Sequence, residues 1–226
     1  MLAVTTFHPR AGETYARQML ESLVGKFDGQ IIAYIEEHPS WDDTRIEWRD
    51  LYSIPGINEF LAKLKDMHGT DGFGSGQYDY RYNANAFCRK VFAQDHVFDE
   101  DKTVIWFDSD CLIKEPFPKG FFEGVLKDVP FAYLGRGKAY TETGWLGFKT
   151  DHPRFAEFRS KYLPYFTSGE IFTQLVGWHD CIAFDHARQG IKGNNLTPDA
   201  AHLTAVIGSS VLGPYMDHRK GNRKYK

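Results

Sequence analysis

Two carboxylates one residue apart, Asp108-Ser109-Asp110, follow directly on the strongest strand signal in the sequence, Thr103-Val104-Ile105-Trp106-Phe107. Carboxylates at the end of a buried strand can converge on one hard cation. Oxygen ligands of that kind suit Mg²⁺ or Mn²⁺, which bridge to substrate phosphates. The plainer account is a turn or capping pair, since Asp is common where strands end. A second cluster closes the chain, His218-Arg219-Lys220-Gly221-Asn222-Arg223-Lys224. His218 offers a nitrogen ligand, which beside two carboxylates tilts the preference toward Mn²⁺. Gly221 would let the backbone approach a phosphate closely, and Lys224 would neutralise its charge. Many chains also end in a basic segment that is merely solvated.

These groups need a scaffold, and the hydrophobic pattern supplies one. Leu2 to Phe7 reads as a first strand ending at His8-Pro9. Ala16, Met19, Leu20, Leu23 and Val24 recur at helical spacing, and Ile31-Ile32-Ala33-Tyr34-Ile35 is a second strand. Strand, helix, strand favours a parallel sheet covered by helices, the start of a nucleotide-binding α/β unit. Ile57, Leu61 and Leu64 mark a short helix that runs into a glycine-rich loop, His68 to Gln77. Its Gly-Phe-Gly-Ser-Gly core lacks the leading strand and following helix of a phosphate loop, so a lid or a surface loop is expected. Asn83 caps the next helix, whose apolar face is Ala84, Phe87, Cys88, Val91 and Phe92. Thr103 to Phe107 is continuous and apolar, hence central and covered on both faces. Further strands are expected at Pro130 to Leu134 and Gly144 to Phe148, and helices at Pro153 to Tyr165 and Trp178 to Gln189, the last closed by Gly190.

A formal net charge of −3 leaves no basic footprint for nucleic acid. The apolar run at Met1 to Phe7 is too short for a secretory leader or a spanning helix. Cys88, Cys111 and Cys181 lie far apart with no metal-ligand spacing, and read as reduced thiols of a cytoplasmic protein. The length suits one unit, 1–226, with a nucleotide-binding part to about residue 115 and an acceptor-side part from about 116.

A strand followed by Asp-x-Asp, with a terminal His-x-x-Gly-x-x-Lys, resembles the GT-A glycosyltransferases, and the tail is similar to that of the retaining family 8 enzymes. The resemblance implies a Rossmann-like, mixed but mainly parallel sheet with helices on both faces. It implies Asp108, Asp110 and His218 as Mn²⁺ (or Mg²⁺) ligands, with Gly221 and Lys224 on the donor pyrophosphate. Where that family continues Pro-Trp, this chain has Tyr225-Lys226. It further implies base and ribose contacts at Thr5, Thr6 and Phe7, with Tyr34 or Glu36 nearby. Ser109 and a basic residue of the preceding helix, Lys90 or Arg89, would face the donor. Glu142 or Asp180 would serve the sugar, although Asp180 opens a helix and can simply cap it. The function implied is hexosyl transfer from a nucleoside-diphosphate sugar, UDP-linked, to a glycan or other hydroxyl acceptor. Little chain follows Asp180, so the acceptor site is expected to be shallow, or completed by a partner protein. Competing readings are a phosphohydrolase with Asp108 as nucleophile and a non-catalytic nucleotide-sugar or glycan-binding module.

Overall fold

The computed structural model describes residues 1–198 and 206–225 of the chain. In chain order its strands are β1 (Leu2–Phe7), β2 (Gln30–Ile35), β3 (Ile46–Asp50), β4 (Thr103–Phe107), β5 (Cys111–Ile113), β6 (Phe131–Arg136), β7 (Ala139–Lys149), β8 (Asn194–Asn195) and β9 (Met216–His218). Seven form one sheet in the order β3-β2-β1-β4-β7-β6-β8, and β5 pairs with β9 in a separate ribbon. Strands β3, β2, β1 and β4 run parallel, while β7 is antiparallel to both β4 and β6.

Side chains alternate across the sheet with the period of two that a strand imposes. Leu2, Val4, Ile32, Tyr34, Val104 and Trp106 enter one apolar layer. Ala3, Phe7, Ile31, Ala33, Ile35, Ile105 and Phe107 enter the other. The first layer is closed by the helices Ala84–His96, Phe155–Tyr162 and Asp180–Ala187, and the second by Tyr15–Val24. A mixed, mainly parallel sheet with helices on both faces is therefore the architecture. No helix among the described residues is long and apolar enough to cross a membrane.

Strand β1 has neighbours on either side that connect in opposite directions, β2 toward one edge and β4 toward the other. Such a reversal opens a crevice at the carboxyl ends of the strands. Phe7 ends β1 and Phe107 ends β4 at that edge. Because β7 runs the other way, its early residues come to the same edge, and Asp108 N donates to Gly144 O at 2.8 Å. The β5–β9 ribbon then ties the end of the chain there, with Cys111 opposite His218.

The first strand and β4 have the limits that their apolar runs predict. The expected helix over Pro153–Tyr165 divides at Leu163-Pro164 into Phe155–Tyr162 and Pro164–Thr167, because proline lacks the N–H that would continue the ladder. The expected Trp178–Gln189 helix is confined to Asp180–Ala187, with His179 extended at its N-cap. The Gly-rich run is a loop, as expected. Thr70 anchors it, donating to Leu64 O and Met67 O while its carbonyl accepts from Asn85 N.

Phe158 packs against the rings of Phe131, Phe148, Phe155, Tyr162 and Phe184 with no exposure. Phe158→Ala should therefore lower the unfolding free energy by about 3–5 kcal/mol in urea denaturation. Phe73→Ala, in the exposed part of the glycine-rich loop, should stay within about 0.5 kcal/mol.

Candidate active site

The crevice holds a cavity of about 500 Å³. Thr6, Phe7 and His8 line it from the end of β1, Glu36 from the end of β2, and Asp108, Ser109 and Asp110 from the end of β4. Phe87, Arg89 and Lys90 reach it from the Ala84–His96 helix, and Lys224 from the last turn of the chain. Residues from both ends of the sequence thus meet on one surface.

Each acidic group is held by cations. Asp108 Oδ1 accepts from Lys90 Nζ at 2.9 Å and from Trp106 Nε1 at 2.7 Å. Trp106 and Asp108 are two residues apart in extended chain, so both point to the same side. Asp110 meets His218 Nε2 at 2.8 Å and Lys224 Nζ at 2.8 Å. Burial would raise the Asp110 carboxyl, but these two partners hold it down at about 2. His218 Nε2 also lies 3.9 Å from Asp108 Oδ2, and its Nδ1 lies 3.4 Å from Glu142 Oε1. Burial works against the imidazolium, yet Asp110 and Glu142 win and push His218 up to about 9. Two carboxylate oxygens and one imidazole nitrogen converge here, a donor set that could hold a divalent cation. Asp110, Cys111 and His218 also place possible ligand atoms within 4.8 Å of one another, though burial keeps the Cys111 thiol protonated.

Lys90 sits deeper. Its ammonium donates to Thr143 O at 2.5 Å and pairs with Asp180 Oδ2 at 2.8 Å, with the Trp106 ring 5.2 Å below. Burial alone would lower its pKa, but Asp108 and Asp180 raise it, so the ammonium stays charged.

Several expectations need correction. Tyr34 is fully enclosed, because in β2 its position faces the helix layer; its hydroxyl meets His96 Nδ1 at 2.7 Å. Glu36, one residue past β2, lines the crevice instead, held by Arg89 at 2.8 Å. Thr5 is buried and outside the cavity lining, while Thr6 lines it and donates to Tyr34 O. Asp180 is also fully enclosed and does not line the cavity; it reaches the site only through Lys90. Glu142 stands behind His218, paired with Lys220 and, at 3.5 Å, with Arg136. Neither carboxylate lines the crevice: Asp180 is enclosed, and Glu142 instead lines a separate cavity of about 290 Å³ with Asp217, His218 and Lys220. Gly221 lies outside the cavity lining; its φ of 58° begins the turn that delivers Lys224.

The tail is not a loose segment up to His218. Pairing of β9 with β5 sets His218 in place, and Arg219 N donates to Asp110 O at 2.8 Å. Gly144 makes room for the ring, since a Cβ there would collide with His218 Cε1 and Nδ1. The sequence places Lys220 in the terminal cluster and Gly144 and Trp106 in strands, but it assigns no role at the site to them or to Arg136. The spacing of Trp106 to Asp108 was a usable signal; the others depend on strand pairing across long separations.

No protein-family model matches the sequence, and no curated protein matches it. Solved structures do match. The chain is similar to a galactosyltransferase, LgtC, determined with donor and acceptor sugar analogs, over 98% of this chain and 88% of that one, at 12% identity and a TM-score of 0.56. It is similar to a glycosyltransferase involved in glycosylation of the major capsid of PBCV-1, over 98% and 96%, at 12% identity and a TM-score of 0.50. The bifunctional glycosyltransferase WbbM matches over 87% of this chain and 38% of its own, at 10% identity and a TM-score of 0.53. The likeness is one of fold, and the fold class is the GT-A one expected.

The carboxylates around His218 make its titration a probe of their geometry. In protein freed of metal with EDTA, the His218 ring proton should titrate with a midpoint near 9 by NMR. Its folded pKa exceeds the ordinary 6.5, so His218 adds stability that is complete below pH 6.5 and disappears as pH rises through about 9. In Gly144→Ala the displaced ring should titrate back toward the ordinary value. An unmoved midpoint would show that the ring does not depend on that gap.

Proposed function

We propose that the protein transfers a glycosyl group from a nucleoside-diphosphate sugar, UDP-linked, to a hydroxyl acceptor, with a divalent cation held by Asp108, Asp110 and His218. One observation carries this reading: Asp108-Ser109-Asp110 and Lys224, from the far end of the chain, line the crevice where β1 and β4 end, with buried His218 on Asp110 behind them. The glycosyltransferase fold of the chain supports it.

The donor set suits Mn²⁺ or Mg²⁺, being two hard oxygens and one imidazole nitrogen. Bound there, the cation would supply Lewis-acid neutralisation of the leaving diphosphate. Thr6, Phe7, His8 and Glu36 would flank the base and ribose, and Ser109 the diphosphate. Lys90, fixed between Asp108 and Asp180, holds a positive charge at the floor of the crevice that needs no rearrangement during reaction. Lys224, on a short final turn, would turn from Asp110 to the diphosphate. In the transfer, the anomeric carbon loses its bond to the phosphate oxygen, which keeps the electron pair. The acceptor oxygen bonds to that carbon, and its proton passes to the departing diphosphate oxygen. We carry retention into this reading from the tail motif, and the anomer formed, read from proton coupling constants, tests it.

Diphosphate and two carboxylates repel one another unless positive charge lies between them. UDP binding, followed by calorimetry, should therefore need Mn²⁺ or Mg²⁺ and weaken on the order of 10²-fold in Asp108→Asn and Asp110→Asn, both still folded by circular dichroism. Affinity for UDP unchanged by EDTA would sink the cation assignment. Lys224→Met should cut turnover by about 10²–10³-fold. Phosphate release from an aryl phosphate without nucleotide would point to hydrolase chemistry instead.

A further inference from the structure

A second cavity, of about 580 Å³, opens beside the start of β7 and the N-terminal end of the Asp180–Ala187 helix. It falls within the range of about 300–1,000 Å³ usual for small-molecule sites. Tyr80, Arg136, Lys138, Tyr140, His179 and Cys181 line it.

His179 is the first sign that something belongs there. The residue is 2% exposed, and its Nδ1 has no hydrogen-bond partner. A buried polar atom left unpaired costs about 1–3 kcal/mol, and such atoms tend to persist where function requires them. The rings of Tyr80, Phe87 and Tyr140 surround the imidazole, with centroids 5.7, 6.0 and 5.3 Å away, and hold it in place.

The walls narrow the chemistry. Tyr80 and Tyr140 are exposed, 53% and 36%, although each is a large ring with an apolar face. Such faces pack against the C–H face of a pyranose, while the phenol oxygens remain free for its hydroxyls. No carboxylate is among the lining residues, whereas Arg136 and Lys138 both are. Arg136 is engaged with Glu142 and the backbone of Tyr140. Lys138 has no ion pair among the described residues.

The position suits a second substrate. Phe87 lines the first cavity and touches His179, so the two cavities share a wall. Asp180, next to His179, is bound to Lys90, which holds Asp108. A hydroxyl held at His179 therefore stands one residue layer from the donor crevice.

We propose that this cavity binds the acceptor, and that the acceptor is a saccharide bearing an anionic group. Its ring lies against Tyr140 and Tyr80, its charge faces Lys138 and Arg136, and a hydroxyl completes His179 Nδ1. This rests on the glycosyl-transfer reading above.

Saturation-transfer NMR on the intact protein tests it with three probes: methyl glucuronide, glucose 6-phosphate and methyl glucoside. UDP with Mg²⁺ serves as a separate probe of the donor crevice. At least one anionic sugar should bind about tenfold or more tightly than the glucoside, and the two anionic probes distinguish carboxylate from phosphate. Lys138→Glu should erase that preference, and Tyr140→Ala should weaken all three sugars. Both substitutions are at exposed positions, and both should leave UDP binding unchanged. Equal binding of glucoside and anionic sugars, or a preference that survives Lys138→Glu, overturns the proposal. So does an equal loss of UDP binding in the variants, since the two cavities would then not be separate sites. Sugar binding without UDP binding would instead defeat the donor reading and leave the saccharide site standing.

Discussion

Four carboxylates, Asp108, Asp110, Glu142 and Asp180, stand around one edge of the sheet, and three of them are buried. A carboxylate withdrawn from water stays ionised only if cations and hydrogen bonds replace the lost hydration. Each of the four has such replacement: Lys90 between Asp108 and Asp180, Lys224 and His218 on Asp110, Lys220 and Arg136 with His218 on Glu142. Those cations come from a helix before β4, the β6–β7 turn region and the end of the chain. The local charge balance thus needs the whole topology. Removing Lys90 would leave Asp180 without an ion-pair partner among the described residues, whereas Asp110 and Glu142 each keep another cation when one is lost.

The parts of the fold that could be read from sequence are those whose stability is local or dominated by burial. Strands β1 and β4 are continuous apolar runs at the centre of the sheet, and their limits follow from composition alone. Strand β3, Ile46–Asp50, carries Glu47, Arg49 and Asp50 at a sheet edge, and its polar residues hide the pattern. The ribbon strands β5 and β9 have three residues each, too few to express a period, and they pair across about half the chain. That ribbon decides whether the tail is a solvated segment or part of the site, and nothing local encodes it.

The same division runs through the site. Asp108, Ser109 and Asp110 were legible because a turn directly after a buried strand must face the crevice. Tyr34 was misplaced because its side is set by parity within β2, and Glu36 lies just past the strand, where parity no longer holds. Asp180 and Glu142, the carboxylates expected to serve the sugar, lie one layer behind the residues that line the crevice. A carboxylate next to the reacting groups and one that steadies a cation next to them have the same local sequence. What distinguishes Asp180 in the structure is its pairing with Lys90, away from the crevice surface.

The cations now on the carboxylates bear on how the site would be used. Lys90 has three partners and almost no exposure, so it cannot leave Asp108 without losing Asp180 and Thr143. Lys224 is different: it lies on a five-residue turn and is anchored by Asp110 and the face of Tyr15, 4.9 Å away. On the proposed reading, Asp108, Asp110 and His218 would hold the divalent cation, and the Lys224 ammonium now on Asp110 would be released. Lys224, which lines the crevice, would then be a positive charge available to the diphosphate. Such an exchange would leave the buried carboxylates neutralised both before and after the cation binds. The fixed lysine and the exchangeable one therefore do different work, and the difference follows from how many partners each ammonium has.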